Sequence, residues 1–188
     1  MKITKLGLAT ILTVGALYAG NYNVDTAHSS VAFKVKHMMI SNVKGSFDKF
    51  KGSFEFDEKT NQVVALTGNI ETASINTANA KRDGHLKSAD FFDVAKNPSI
   101  DFVLSKVKDD KAYGKLTMHG VTKDVILDFE NNGLAKDPWG NTRVGLTLSG
   151  KINRKDFGLV YNTALETGGV LIGDIVKLDV EIQGILAK

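Results

Sequence analysis

From residue 29 onward, apolar side chains recur at every second position, the period of a half-buried strand and not of a helix. Val31, Phe33 and Val35 alternate with Lys34 and Lys36, and Phe50, Phe54 and Phe56 with Lys51, Ser53 and Glu55. Val64, Leu66 and Ile70 then alternate with Thr67 and Asn69. The pattern returns in Ile100, Phe102 and Leu104, in Leu116 and Met118, and in Val125, Leu127 and Phe129. It closes with Val144, Leu146, Leu148 and Ile152, then Val176, Leu178, Val180 and Ile182. About eight strands are expected, each with one apolar and one wet face.

The breaks carry turn chemistry. Residues 57–61, 108–111, 131–133 and 137–141 are polar or bear Gly or Pro, and connections this short favour antiparallel neighbours. Only residues 74–94 abandon the alternation; they read as a short helix with a loop, with Ala78, Ala80, Leu86, Phe91 and Phe92 able to pack down. Such a set of strands makes a sandwich or a closed barrel. The barrel is the expected fold, because it leaves no long edge to protect.

Gly52, Gly68, Gly114, Gly150 and Gly184 all fall in the apolar phase. They serve either as bends in a coiling sheet or as missing side chains that leave interior room. An eight-stranded barrel accommodates both outcomes, a packed core or one small ligand. If it is hollow, the expected lining is Phe33, Val35, Phe50, Phe54, Leu66, Ile70, Phe102, Leu116, Met118, Phe129, Leu146, Leu148, Val180 and Ile182. The same alternation would appear in a dry core, so cavity volume alone separates the two.

Groups that carry chemistry are sparse. The four histidines lack metal-ligand spacing, and there is no Gly-x-Ser-x-Gly elbow or His-Glu-x-x-His helix. No catalytic residue, metal or cofactor is assigned, and a binding protein is expected in place of an enzyme. His28 reads as a capping residue before the first strand. His37 ends an inward-facing run at a barrel mouth. Arg82, Asp83 and His85 lie on the helical segment, as a solvated face or as a gate that meets a polar head group. Arg154 continues the inward phase of Ile152, and an ion pair with Asp156 is its default partner. The competing enzyme reading would take His37, His85 or Asp83 as acid or base at the mouth.

The chain opens with Lys2 and Lys5, then an apolar stretch from Leu6 to Leu17, and Ala19. That is the layout of a cleaved secretory signal over residues 1–19, too short to span a bilayer comfortably. Its removal takes two lysines from a net charge of +3 and leaves +1. No run of Lys and Arg along the chain suggests a nucleic acid or an anionic membrane as partner. With no cysteine, disulfides and thiolate chemistry are excluded. Residues 20–188 are expected to form one domain.

The motifs also resemble a family. Tyr22-Asn-Val-Asp25-Thr-Ala-His28-Ser29, then Val31-x-Phe33-x-Val35-x-His37, are similar to the start of YceI-like proteins. Val43-x-Gly45-x-Phe47-x-x-Phe50, Ser74-Ile75-x-Thr77 and Arg82-Asp83-x-His85-Leu86 match the middle. Pro98-x-Ile100-x-Phe102, Gly114-x-Leu116-Thr117-x-His119-Gly120-Val121-Thr122 and Asn153-Arg154-x-Asp156-Phe157-Gly158 match the rest. The resemblance implies an all-β, lipocalin-like, eight-stranded antiparallel barrel with a helical excursion, exported to the periplasm. It implies a long-chain apolar partner, such as a polyisoprenoid, an isoprenoid quinone, a prenyl phosphate or a fatty amide, with its tail in the core and its head near the mouth. A homodimer and a transient membrane electron-transfer partner stay open, and no nucleic acid is expected.

Overall fold

A computed structural model describes residues 19–166 and 169–188, so the signal read over residues 1–19 lies, apart from Ala19, outside the described residues. The elements in chain order are β1 (Ala19–Val24), β2 (Ser30–His37), β3 (Ser41–Phe47), β4 (Phe50–Asp57), β5 (Gln62–Glu71) and β6 (Ile75–Asn76). They continue with α1 (Ala80–Lys87), β7 (Ser99–Lys108), β8 (Lys111–Met118), β9 (Val121–Lys136), β10 (Thr142–Asn153) and β11 (Ile172–Leu186). Strands β1, β4, β5, β7, β8, β9, β10 and β11 pair in that order, and β11 returns to β1 to close an antiparallel ring. The barrel is therefore real, and the sandwich is excluded.

Two staves of this barrel are broken. β2 continues β1 along the same edge of β11, where Val24 faces Gly184 and Ser30 faces Glu181. Between them Asp25 folds the chain into a turn: its carboxylate accepts from the Ala27 N–H, and its carbonyl accepts from the His28 N–H and the Ser29 hydroxyl. β3 likewise precedes β4 and pairs with β2 across the Met38–Ile40 hairpin. Neither Ala19–Val24 nor Ser41–Phe47 stands out as an alternating run. Tyr22 and Val24 in β1, and Val43 and Phe47 in β3, are too widely interrupted by Gly, Ser and Asn.

Two further expectations are corrected by bulges. Val64 is not inward: Phe56 pairs with Val63 and Glu55 with Ala65, so Val64 is the extra residue and is exposed. The turn expected at 131–133 lies inside β9, where Gly145 faces Gly133, Leu146 faces Asn131, and Asn132 is the unpaired insert. Gly133 supports this kink with φ +93°, a conformation costly for any other residue. The segment 74–94 holds a short helix and a loop as expected, with the two-residue β6 before them, and α1 is capped by the Asn79 side chain, which accepts from Arg82 N–H at 3.0 Å.

The interior divides into two clusters. At the end holding the chain's first and last described strands, Tyr22, Phe54, Phe56, Val144, Leu146 and Leu148 are buried together, with the Tyr22 and Phe54 rings stacked at 5.2 Å. At the other end Phe47, Ile75, Phe91, Phe92, Phe157 and Leu159 lie under the α1 segment and the stretch after β10. No helix among the described residues is long and apolar enough to cross a membrane.

Candidate functional site

The barrel is hollow at the second cluster's end, and of the first cluster's buried residues Leu66, Leu127 and Leu148 reach the space. A cavity of about 210 Å³ lies within the ring, lined almost wholly by carbon. Phe33, Val35, Phe50, Leu66, Ile70, Phe102, Leu116, Met118, Leu148, Val180 and Ile182 line it, each from the inward phase of its strand. Phe54, Phe129 and Leu146 sit instead in the packed cluster and do not reach it. Phe47, Ile75, Leu86, Phe91, Phe92 and Leu159 also line it, from short or irregular segments where no alternation marks them. The doublet Phe91-Phe92 was the available signal: two large apolar residues in a polar loop need somewhere to be buried.

Most of the glycines in the apolar phase leave no interior room. A Cβ on Gly114 would meet the Phe102 ring at 2.5 Å, one on Gly184 the Phe54 ring at 2.3 Å, and one on Gly45 the Phe33 ring at 2.4 Å. These glycines are seats for aromatic rings. Beside Gly68, in contrast, nothing lies within 4 Å of the ideal Cβ, and that position opens onto the void. Gly52 faces Gly68 across β4 and β5, so the wall is thinnest there.

Among the polar candidates, Arg154 alone joins the lining. Its side chain is 4% exposed and is held by backbone carbonyls: Nε donates to Gly173 O at 3.1 Å and Nη1 to Leu159 O. Its carboxylate neighbour is Asp174, 3.5 Å from Nη2, and not the exposed Asp156 expected from the sequence. Burial pulls its pKa down and the Asp174 charge opposes that shift. Nη2 also lies 3.5 Å from Ile172 O, so of the guanidinium's five N–H donors one, on Nη1, is left beyond those engaged by Gly173, Leu159, Ile172 and Asp174.

The other four point elsewhere. Arg82 donates from Nε to Thr77 Oγ1 at 2.7 Å and from Nη2 to Thr77 O at 2.9 Å. Asp83 accepts from the Thr77 N–H at 2.9 Å and from its hydroxyl, so the two residues share Thr77 as a clamp on the start of α1. His85 lies 2.9 Å from Asp90 and packs edge-on against Phe91 and Tyr161. His37 ends β2, half-buried, opposite Ser41, and is absent from the lining. The His28 ring meets the Asp25 carboxylate at 2.8 Å, a side-chain hydrogen bond, while Asp25 does the capping.

A second charged cluster braces the outside of the packed end. Arg143 bridges Asp25 at 2.6 Å and Asp137 at 2.8 Å. Its hydrogen bond is the main cause that holds the Asp25 carboxyl down to about 2. Asp137 is held well below the usual carboxylate range, first by the Asn141 side chain and also by Arg143.

Comparison with known proteins places this architecture. The YceI-like domain model matches residues 22–184. A UPF0312 protein of Staphylococcus aureus is 43% identical over 164 residues, covering 87% of this chain and 96% of that one. The crystal structure of the Campylobacter jejuni YceI protein superposes with a TM-score of 0.70 at 37% identity, covering 87% of this chain and 96% of its own. A polyisoprenoid-binding domain from Saccharophagus degradans shares the fold at a TM-score of 0.68 and 15% identity, covering 88% of this chain and 98% of its own.

Proposed function

The chain belongs to the YceI-like family, and from that premise we propose that it is an exported carrier that holds a long apolar amphiphile inside its barrel. The observation that carries this reading is the cavity inside the barrel, whose lining offers an entering molecule almost nothing but carbon. Transfer of each methylene from water into such a lining is worth about 0.8 kcal/mol, so a long tail binds tightly with little help from its head. The Saccharophagus degradans domain is described as polyisoprenoid-binding, and extending that ligand class to this chain is part of the proposal.

Arg154 gives the tail a polar end. It is the one charged side chain in the lining that is buried among the described residues, and its one remaining Nη1 N–H suits a carbonyl, amide or phosphate oxygen. His37, Arg82, Asp83 and His85 then belong to the rim, where Arg82 and Asp83 clamp the start of α1. A binding role is favoured over acid–base chemistry because Asp83 and His85 are engaged with Thr77 and Asp90 and do not face the void.

Native mass spectrometry of the protein from its own host, followed by solvent extraction, tests the reading. A stoichiometric long-chain adduct is the expected result. A folded, ligand-free protein that takes up neither prenyl lipids nor quinones would overturn it. Arg154→Met should weaken an amphiphile with a polar head about tenfold, in line with loss of a charged hydrogen bond, and leave a bare hydrocarbon unchanged.

A further inference from the structure

The outer wall of the barrel pairs its charges in two different ways. Across β8 and β9, Lys111 faces Asp128 and Lys115 faces Asp124, and both pairs are ion pairs, the arrangement that stabilises facing strands. Across β10, β11, β2 and β3 the opposite is found. Lys151 faces Lys177, Lys177 faces Lys34, and Lys34 faces Lys44, in one unbroken cross-strand row. Adjacent strands lie about 4.8 Å apart, so the row spans about 14 Å. Among the described residues none of these lysines, nor Lys36 beside them, has an acidic partner within ion-pair distance. Like charges set directly opposite work against the sheet, so this row awaits an anion from outside.

The same face is graded along the strands. Read from the mouth end, the outward residues of β11 are Ile175, Lys177, Asp179 and Glu181: apolar, basic, then acidic. Those of β2 run from the Met38–Ile40 hairpin through Lys36 and Lys34 to Ala32 and Ser30. At that hairpin Met39 is 55% and Ile40 82% exposed, three apolar residues in succession with Met38 and Met39 both at positive φ. Such a tip has no reason to face water. The order apolar, basic, acidic is the profile of an anionic bilayer met edge-on: acyl chains, then phosphates, then solvent.

We propose that the Lys151–Lys177–Lys34–Lys44 row and the Met38–Ile40 tip form a docking face for an anionic lipid bilayer, with the barrel tilted so that its mouth meets the membrane. The lysines meet lipid phosphates, and the tip is buried at the boundary between head groups and acyl chains. Docking of this kind requires no occupied cavity. Its test is therefore separate from that of the carrier reading.

The test is flotation with vesicles of phosphatidylcholine, alone or mixed with phosphatidylglycerol, using parent and variants that carry the same N-terminus so that residues 1–18 contribute equally. The parent should favour the anionic vesicles and lose that preference as salt is raised. Lys177→Gln, at the centre of the row, should weaken partition about fivefold, and Lys34, Lys44, Lys151 and Lys177 changed together to Gln by several hundredfold. Thermal unfolding of the fourfold variant should match or exceed the parent's, since a repulsive row is removed. Ile40→Ser should weaken binding on both kinds of vesicle, and Lys115→Gln should change neither. A parent indifferent to phosphatidylglycerol would overturn the proposal, as would a folded fourfold variant that binds within twofold of it. So would a row that governs binding to nucleic acid or an acidic protein while vesicles are ignored.

Discussion

The two ends of the barrel are made from the same alternation, yet one is solid and the other hollow. At the solid end Tyr22, Phe56, Val144 and Leu146 have no exposed surface, the Tyr22 and Phe54 rings are stacked, and the Phe54 ring sits against Gly184. At the hollow end Gly52 and Gly68 thin the wall, the roof is a loop and one short helix, and α1 itself has no fully buried residue. A strand roof would deliver a side chain every second position into the space beneath. A loop delivers a few, Phe91 and Phe92 among them, and leaves the rest empty. Hollowness here follows from how the barrel is covered as well as from what lines it.

Paired truncations test that contrast most severely. Leu146→Ala in the solid end should cost about 3–5 kcal/mol in urea unfolding, because its neighbours surround it and relax only in part. Leu178→Ala, beside the void, should cost less than about 2 kcal/mol, since part of its surface already lacks contacts. Equal losses would mean that the hollow end is filled in solution.

The glycines sharpen the same comparison with a smaller effect. Gly114→Ala should lose about 1–3 kcal/mol by overpacking Phe102, whereas Gly68→Ala should be neutral or gain up to about 1 kcal/mol from a stiffer unfolded chain. Gly68→Leu should fold normally and fail to take up a prenyl lipid in a fluorescence displacement titration. Uptake as in the parent would show that the void beside Gly68 is not where the tail lies.

Acid should act on the solid end through its charged brace, with the smallest effect of the three. Asp25 titrates near 2 in the folded barrel against an ordinary value of 3.8, and Asp137 is also depressed. A carboxylate lowered on folding stabilises the native state fully above its ordinary pKa, and that contribution fades as pH falls from about 4 toward 2. Melting temperature should therefore drop by a few degrees over that range. In Arg143→Gln, which removes the partner of both carboxylates, the drop should be shallower.

Much of this was legible in the chain before any coordinates. Alternation marks the strands because a pleated wall with one wet face leaves no other choice for Leu146, Leu148 and their like. It misplaces Val64, because a bulge changes phase without changing composition, and it places Phe129 and Leu146 on the void when they belong to the solid cluster, because facing inward does not say at what height. The lysine row is the clearest case of what a sequence hides. Lys34, Lys44, Lys151 and Lys177 are scattered along the chain, and no run of basic residues marks them. Register alone brings them into line. The partner of Arg154 was missed for the same reason: Asp156 is two residues away in sequence, and Asp174 is next to it in space.

The seam of the ring sets an order in time. Tyr22 pairs with Leu186, and the Ala187 N–H reaches back to Asn21 O at 2.7 Å. The first described strand finds β4 early, but its other edge must wait for nearly the whole chain before β11 reaches it. Until then no enclosed interior exists, only a curved sheet with two open edges and a greasy concave side. Contacts spanning so much sequence make folding slow. A lipid could reach that unfinished sheet from the side before the last stave closes, a route that shuts once the seam has formed.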